Sequence, residues 1–401
     1  MTHSHRPPSA TALAMAAFVA LAVCMGIGRF AFTPLLPMMQ ADAGLGLAEA
    51  GWLASANYLG YLAGALVAGA LPWSSASQLR LGLGLVVLTT ALMGLGHSWP
   101  LWAAWRFIAG QASAIGLVAT TSLCLSRLAA LGQKQKAGLM FSGVGVGIMM
   151  AGLLCMAMGL AYVPSPIAWL IMAAVALLGM FSTRGLWAAP VAGPRSTSPP
   201  PAAASASQDK SIEGLSLLHH TRLVFCYGCF GFGYILPATF LPAQARQLVT
   251  DPAVFGLAWP LFGLAAALST LAVGRVKRDY SRRHVWLGAQ LIMAIGVLVP
   301  AIWSSIAAIV LAAVCVGGTF MVVTMMGMQE AQALGGVHAR KLIAAVTAAF
   351  AAGQLLGPVV FSILHDMLGV SLEGALVLGC ALLLLSCALL LKPFAPQPVK
   401  E

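Results

Sequence analysis

The sequence predicts an all-α membrane protein: twelve transmembrane helices arranged as two pseudo-symmetric six-helix bundles. Composition is the first reason. Of 401 residues, 60% are hydrophobic and only 8% charged, a balance that no water-soluble domain of this length sustains. The second reason is the number of apolar runs long enough to cross a bilayer. The third is a repeat at an offset of half the chain. Cys24, Gly26, Gly28, Leu36 and Pro37 recur as Cys229, Gly231, Gly233, Leu241 and Pro242, and the same 205-residue step carries Gly51 onto Gly256 and Gly69 onto Gly274. Such a step reads as two related halves laid end to end.

A spanning helix needs about 20 mostly apolar residues. Runs meeting that rule cover 12–34, 49–71, 79–97, 99–124, 138–162 and 166–187, then 219–242, 253–273, 284–303, 305–329, 341–365 and 371–392. The first run follows the polar start M-T-H-S-H-R-P-P. It is too long for a signal h-region and has no small-residue cleavage pattern after it, so it reads as an uncleaved span. Between the sixth and seventh runs lies A-A-P-V-A-G-P-R-S-T-S-P-P-P-A-A-A-S-A-S-Q, too rich in Pro, Ser and Ala to pack. The expected organisation is residues 1–187 as one half, 188–216 as a flexible cytoplasmic linker and 217–401 as the other half.

Charge tests this count. If the N-terminus is inside, eighteen basic residues fall in inner loops, among them Arg80, Arg127, Lys134, Lys136, Arg184, Arg222, Arg340, Lys341 and Lys392. The outer loops hold only Arg246, with the acids Asp42, Glu49, Asp251, Asp366 and Glu373. Lys and Arg are retained on the cytoplasmic side, so both termini are expected there, in a bacterial inner membrane. The net charge of +11 is this topology signal spread over many short loops, so no nucleic-acid partner is expected. Most of the eight cysteines sit inside apolar runs as small packing residues, and the lone Cys226-x-x-Cys229 has no second pair with which to bind a metal. No cofactor is expected.

Two basic residues remain, both inside spans, where an arginine costs roughly 2.5–3.5 kcal/mol on insertion scales. Arg29 stands in C-M-G-I-G-R-F-A-F-T-P-L-L-P. Arg106 stands in W-A-A-W-R-F-I-A-G-Q, about 9 Å from the outer end of span 4 at 1.5 Å per residue. Both are expected at comparable depth in the outer half. No Asp or Glu occurs at mid-membrane to neutralise them. In the repeat, Tyr234 occupies the place of Arg29, so the frame is shared while the polar group differs.

Several local patterns carry a resemblance. Gly274-R-V-K-R-D-Y-S-Arg282-Arg283, between spans 8 and 9, looks like the loop signature of the major facilitator superfamily. Its counterpart in the first half, Gly69-A-L-P-W-S-S-A-S-Q, has lost every charge of that pattern. Arg106-F-I-A-Gly110-Q is similar to the span-4 arginine motif. Gly143 and Gly152 resemble antiporter glycine spacing, although Met156 and Ala157 replace the Gly-Pro that should follow, and Gly353, Gly357 and Pro358 give a Gly-x3-Gly-Pro in span 11. The opening G-I-G-R-F-A-F-T-P-L-L-P resembles the YbfB/YjiJ-type branch of that superfamily.

The resemblance implies the major facilitator fold and a secondary transporter, its cavity lined by spans 1, 4, 7 and 10, one half rocking against the other around a midplane site. Arg29, Arg106 and Tyr234 fall on those spans. Two fixed positive charges without counter-ions attract anions, and a guanidinium fork matches a carboxylate or phosphate. The expected cargo is thus a small organic anion or carboxylate-bearing metabolite. Asn57, Tyr58, Tyr61, Gln111, Tyr227 and Gln354 are candidate secondary contacts, or else polar links between helices. The bland reading of Arg29 is a structural arginine bonded to helix carbonyls, and of Arg106 a helix-positioning role. Gly274, Arg278, Asp279, Arg282, Arg283 and Glu330 are expected to form a loop motif and inner gate, or simple lipid-facing anchors.

Coupling is open: protons through His365, Asp366 or Glu330, the cargo's own protonation, or uniport. The rival is a multidrug-type exporter using Met149, Met150, Met321, Met325 and Met326 as an adaptable lining, though cationic drugs want a buried acid. An enzyme would need a converging nucleophile and base, and a sensor an appended domain, and neither is visible. The expected partners are a small molecule and the lipid bilayer, and the expected state is a monomer.

Overall fold

The computed structural model describes residues 9–96, 98–187, 220–238, 252–275, 281–303 and 305–394, apart from the side chains of residues 47 and 252–256. The expected linker, Arg246, Arg278 and Asp279 lie outside the described residues. Among those described, ten helical stretches are long and apolar enough to cross a membrane, and one of them, Ile306–Leu368, contains two helices. Residues 220–238 are also helical. Helices therefore stand at each expected span: α1 Ala10–Asp42, α2 Leu47–Ala70, α3 Ser75–Leu95, α4 Trp99–Ala130, α5 Ala137–Leu160, α6 Ser165–Ser182, α7 220–238, α8 Pro252–Arg275, α9 Arg282–Ile302, α10 Ile306–Gly335, α11 Ala339–Leu368 and α12 Leu372–Leu390. The break between α10 and α11 falls at Gly336, whose φ of +49° favours glycine.

Element ends follow local chemistry. Serine hydroxyls cap four helix starts, with Ser9, Ser74, Ser305 and Ser371 accepting from Ala12, Ser77, Ala308 and Gly374 backbone N–H groups. The first helix departs from expectation. It runs to Asp42 rather than ending near residue 34, because Pro34 lies in the first turn of the segment Phe32–Asp42, where a missing N–H is tolerated. At its end the Asp42 carboxylate accepts hydrogen bonds from the Ser165 backbone N–H and, at 2.7 Å, from the Ser165 hydroxyl, fixing the start of α6.

Glycines set how closely the helices approach. On α5, Gly143 and Gly147 lie against the backbone of Phe18 and Ala22 in α1, and Gly147 also meets Gly26. A second row seven residues apart, Gly138, Gly145 and Gly152, meets α8 of the other half at Thr270 and Gly274, at Gly263 and Ala267, and at Pro260. Without lipid-driven attraction between apolar helices, such small-residue seams let backbones pack by van der Waals contact. The repeat has the same basis: Gly26 seats α1 on α5, and Gly231 seats α7 on α11 at Phe350.

The two halves also meet where α2 ends and α11 begins. Gly69 lies beside Ala344, and the Arg340 guanidinium donates to the carbonyls of Trp73 and, at 3.0 Å, of Leu71. These carbonyls close the C-terminus of α2, the negative end of its dipole, and the Gln78 amide donates to them as well. The uncharged Gly69–Gln78 loop thus presents carbonyls where an ion-pair motif would present side chains. We predict that Arg340→Ala raises the maleimide labelling rate of an Ala344→Cys reporter about fivefold, since a charge-assisted link of order 1.5 kcal/mol is partly screened here. An unchanged labelling rate would show that the helix packing alone holds this end.

Candidate functional site

The centre of α1 is not α-helical. Ala22–Phe30 winds as a π-helix, with one extra residue per turn, and spans the residues C-M-G-I-G-R-F. Wide turns of this kind concentrate at functional sites. Pro34 has no N–H, so the Arg29 carbonyl lacks a wide-turn donor five residues on. Arg106 supplies one from α4, its guanidinium donating to the Arg29 carbonyl at 3.2 Å and to the Gly28 carbonyl at 3.4 Å. The Asn57 amide of α2 donates to the Arg106 carbonyl at 2.9 Å, tying three helices together. Arg106 also rests 4.8 Å from the Phe32 ring centroid.

Arg29 is 3% exposed. Its guanidinium lies over the Tyr61 ring, 3.9 Å from the centroid, with Tyr58 and Phe30 at 5.5 Å. One terminal nitrogen donates to the Gln354 side-chain oxygen, bridging α1 to α11 of the other half. Its Nε and other terminal nitrogen have no hydrogen-bond partner. No ion pair to it is formed among the described residues, where Arg282–Glu330 is the pair present.

A narrow cleft of about 50 Å³ is lined by Arg29, Arg106, Tyr58, Gln354, Tyr234 and Trp259, together with Phe30, Phe32, Thr33, Ala54, Ile235 and Ala238. Five buried polar atoms of this lining lack partners: Nε and a terminal nitrogen of Arg29, Nε of Arg106, Nε1 of Trp259 and Nε2 of Gln354. All five are donors, and no acidic side chain lines the cleft. A second, smaller cavity of about 20 Å³ is walled by Met25, Tyr61, Leu117, Tyr227, Phe320, Met321 and Phe350 among others, and it shares Phe30 and Tyr234 with the first. The only polar side chains around it are hydroxyls.

Of the residues singled out from sequence, Arg29, Arg106, Tyr58, Tyr234 and Gln354 line one cleft. Tyr227 and Tyr61 face the second cavity, and the Asn57 amide nitrogen donates to backbone carbonyls. Gln111 lines neither cavity; its backbone is where Gly64 of α2 packs. Gly274 seats on Gly138, Arg282 pairs with Glu330 at 3.0 Å, and Arg283 donates to the Leu391 carbonyl at 2.9 Å. Of the methionines proposed as a lining, Met321 reaches a cavity. The sequence reading missed Phe30, Phe32 and Trp259. The first two follow Arg29 by one and three residues, while Trp259 lies within an apolar run with nothing local to mark it.

No curated protein matches the chain. The fold is similar to that of the human organic anion transporter MFSD10 (TETRAN) in its crystal structure, at TM-score 0.69 and 17% identity, covering 96% of this chain and 100% of that one. Residues 21–391 match the family described as uncharacterised MFS-type transporter YbfB. With most of its length matched, and with the helical architecture that goes with it, the chain belongs to the YbfB-type family of major facilitator superfamily transporters.

Proposed function

We propose that this transporter carries a small organic anion with a carboxylate, held by Arg29 in the cleft between the halves. The unpartnered donors of that cleft carry the reading. A buried guanidinium without a counter-charge is costly, and so is each unpartnered buried donor, so the site is built to be completed by an acceptor-rich, negatively charged ligand. The fold neighbour is itself named an organic anion transporter, which agrees with this but at 17% identity adds only fold-level support. Arg106 serves as a positioning residue, since both its terminal nitrogens are engaged by carbonyls. Access alternates as the halves rock about the site, with the Arg340 link closing one end.

The loops bearing the basic residues belong on the cytoplasmic side of a bacterial inner membrane, with both termini there. Glu330 is paired to Arg282, the His365 ring nitrogen lies 2.9 Å from the Val370 carbonyl and Asp366 is exposed, and none of the three lines the cleft. Coupling, where present, therefore runs through the cargo's own proton, and the protein works as a monomer. The second cavity, with Met25, Met321 and Met328 in its wall, supports the alternative of a multidrug-type exporter.

The test is thermal stabilisation of the purified full-length protein by monocarboxylates, neutral solutes and lipophilic cations. A ligand at 100 times its Kd adds about 2.7 kcal/mol. Carboxylates are expected to stabilise and cations not to. Stabilisation by lipophilic cations alone would replace the anion reading with the exporter.

A further inference from the structure

Resting on that reading of Arg29, we propose that the ligand is an aromatic carboxylate, a flat ring bearing a carboxylate and no amine. Charge count comes first. Arg106 directs its terminal nitrogens at the carbonyls of Gly28 and Arg29 and keeps its Nε unpartnered, so Arg29, with two unpartnered nitrogens, is the main anchor for a carboxylate. An α-amino acid would bring an ammonium group into a cleft with no acidic side chain.

The walls decide the body of the ligand. Five of the twelve residues lining the Arg29 cleft are aromatic: Phe30, Phe32, Tyr58, Tyr234 and Trp259. The rings do not stop there. Trp259 stacks on Phe262 at 5.6 Å, Phe262 on Phe320 at 5.0 Å and Phe320 on Tyr234 at 5.4 Å, with interplanar angles of 8°, 21° and 24°. Tyr234 then meets Phe350 at 6.0 Å. Tyr234 and Phe30 wall both cavities, and Phe320 and Phe350 line the second, so successive ring faces continue from the charged compartment into the apolar one. Ring pairs favour offset-stacked and edge-to-face geometry, and a planar ligand can exchange one such contact for the next as the halves move. A saturated chain of equal area gains burial but not that match.

The experiment is a matched panel of benzoate, cyclohexanecarboxylate, succinate, phenylalanine and benzamide, tested for thermal stabilisation of the full-length protein. Benzoate is expected to bind roughly threefold to tenfold tighter than cyclohexanecarboxylate, the increment of an aromatic pair over area alone. Phenylalanine and benzamide are expected to bind at least tenfold more weakly than benzoate, and succinate, which has no ring, more weakly as well. In Trp259→Leu the preference for benzoate over cyclohexanecarboxylate should shrink while binding of both persists. Equal ranking of ring and saturated acid, or preference for succinate or phenylalanine, overturns the aromatic class and leaves the anion reading standing. No response to any carboxylate removes the anion reading itself. If Trp259→Leu does not fold, the ranking in the parent protein decides alone.

Discussion

Arg29→Gln is expected to abolish stabilisation by carboxylates while leaving the unliganded protein as stable as the parent or more so. The two halves of that result have one cause. In the folded protein Arg29 is 3% exposed, stacked on Tyr61 and bonded only to the neutral Gln354. Its charge is taken from water with no opposite charge in return, so a neutral amide of lower desolvation cost relieves strain on the empty state. In the complex the same substitution removes the charged group with the most donors to spare. Removing one partner of a buried charge pair costs about 2–5 kcal/mol, a loss of roughly 30-fold or more in Kd. Melting curves with and without benzoate read both effects. A variant that melts far below the parent and still answers to carboxylates would make Arg29 a structural residue, and the site would have to be sought elsewhere.

Arg106→Gln should behave in the opposite way, and the contrast separates holding a ligand from holding a helix. Its terminal nitrogens satisfy carbonyls that the π-helical turn and Pro34 leave open. Losing them destabilises the empty protein first and weakens ligand binding only as Arg29 drifts.

The sequence made the fold legible because hydropathy and charge act over whole spans. Twenty apolar residues and a one-sided distribution of Lys and Arg survive any local irregularity. It also marked Arg29 and, through the 205-residue repeat, Tyr234, because a charge in an apolar run is visible without knowing its neighbours. What it could not carry was rotation about the helix axis. Gln111 lies five residues after Arg106, about 140° further round at 100° per residue, so the two cannot face one cleft. Trp259 was invisible for a related reason: it reaches Arg29's cleft across the interface between the halves, and no local pattern encodes that meeting. The π-helical segment left no periodic signature either, since its apolar residues run on without interruption. Pro34 invited an early end to the first span, whereas it starts a new α-helical segment that continues to Asp42.

Gly26→Ala is expected to cost about 2 kcal/mol or more, whereas Gly288→Ala should be neutral or slightly stabilising. Both replace a helical glycine by the best helix former, so propensity alone predicts gains for both. Packing separates them. A Cβ on Gly26 would stand 2.5 Å from Gly147 Cα and 2.6 Å from its carbonyl carbon, on the seam between α1 and α5. Backbone cannot rotate away as a side chain can, so the helices must part. A Cβ on Gly288 in α9 meets nothing within 4 Å. Gly26 also lies inside the π-helical segment three residues before Arg29, so displacing α1 moves the guanidinium away from Gln354 and Tyr61. Even a folded Gly26→Ala protein should therefore lose most of its response to benzoate, while Gly288→Ala keeps all of it. Melting temperatures of the two variants, each with and without benzoate, measure both effects. If the two variants melt alike and respond alike, the close approach of α1 to α5 is not what fixes Arg29 in place.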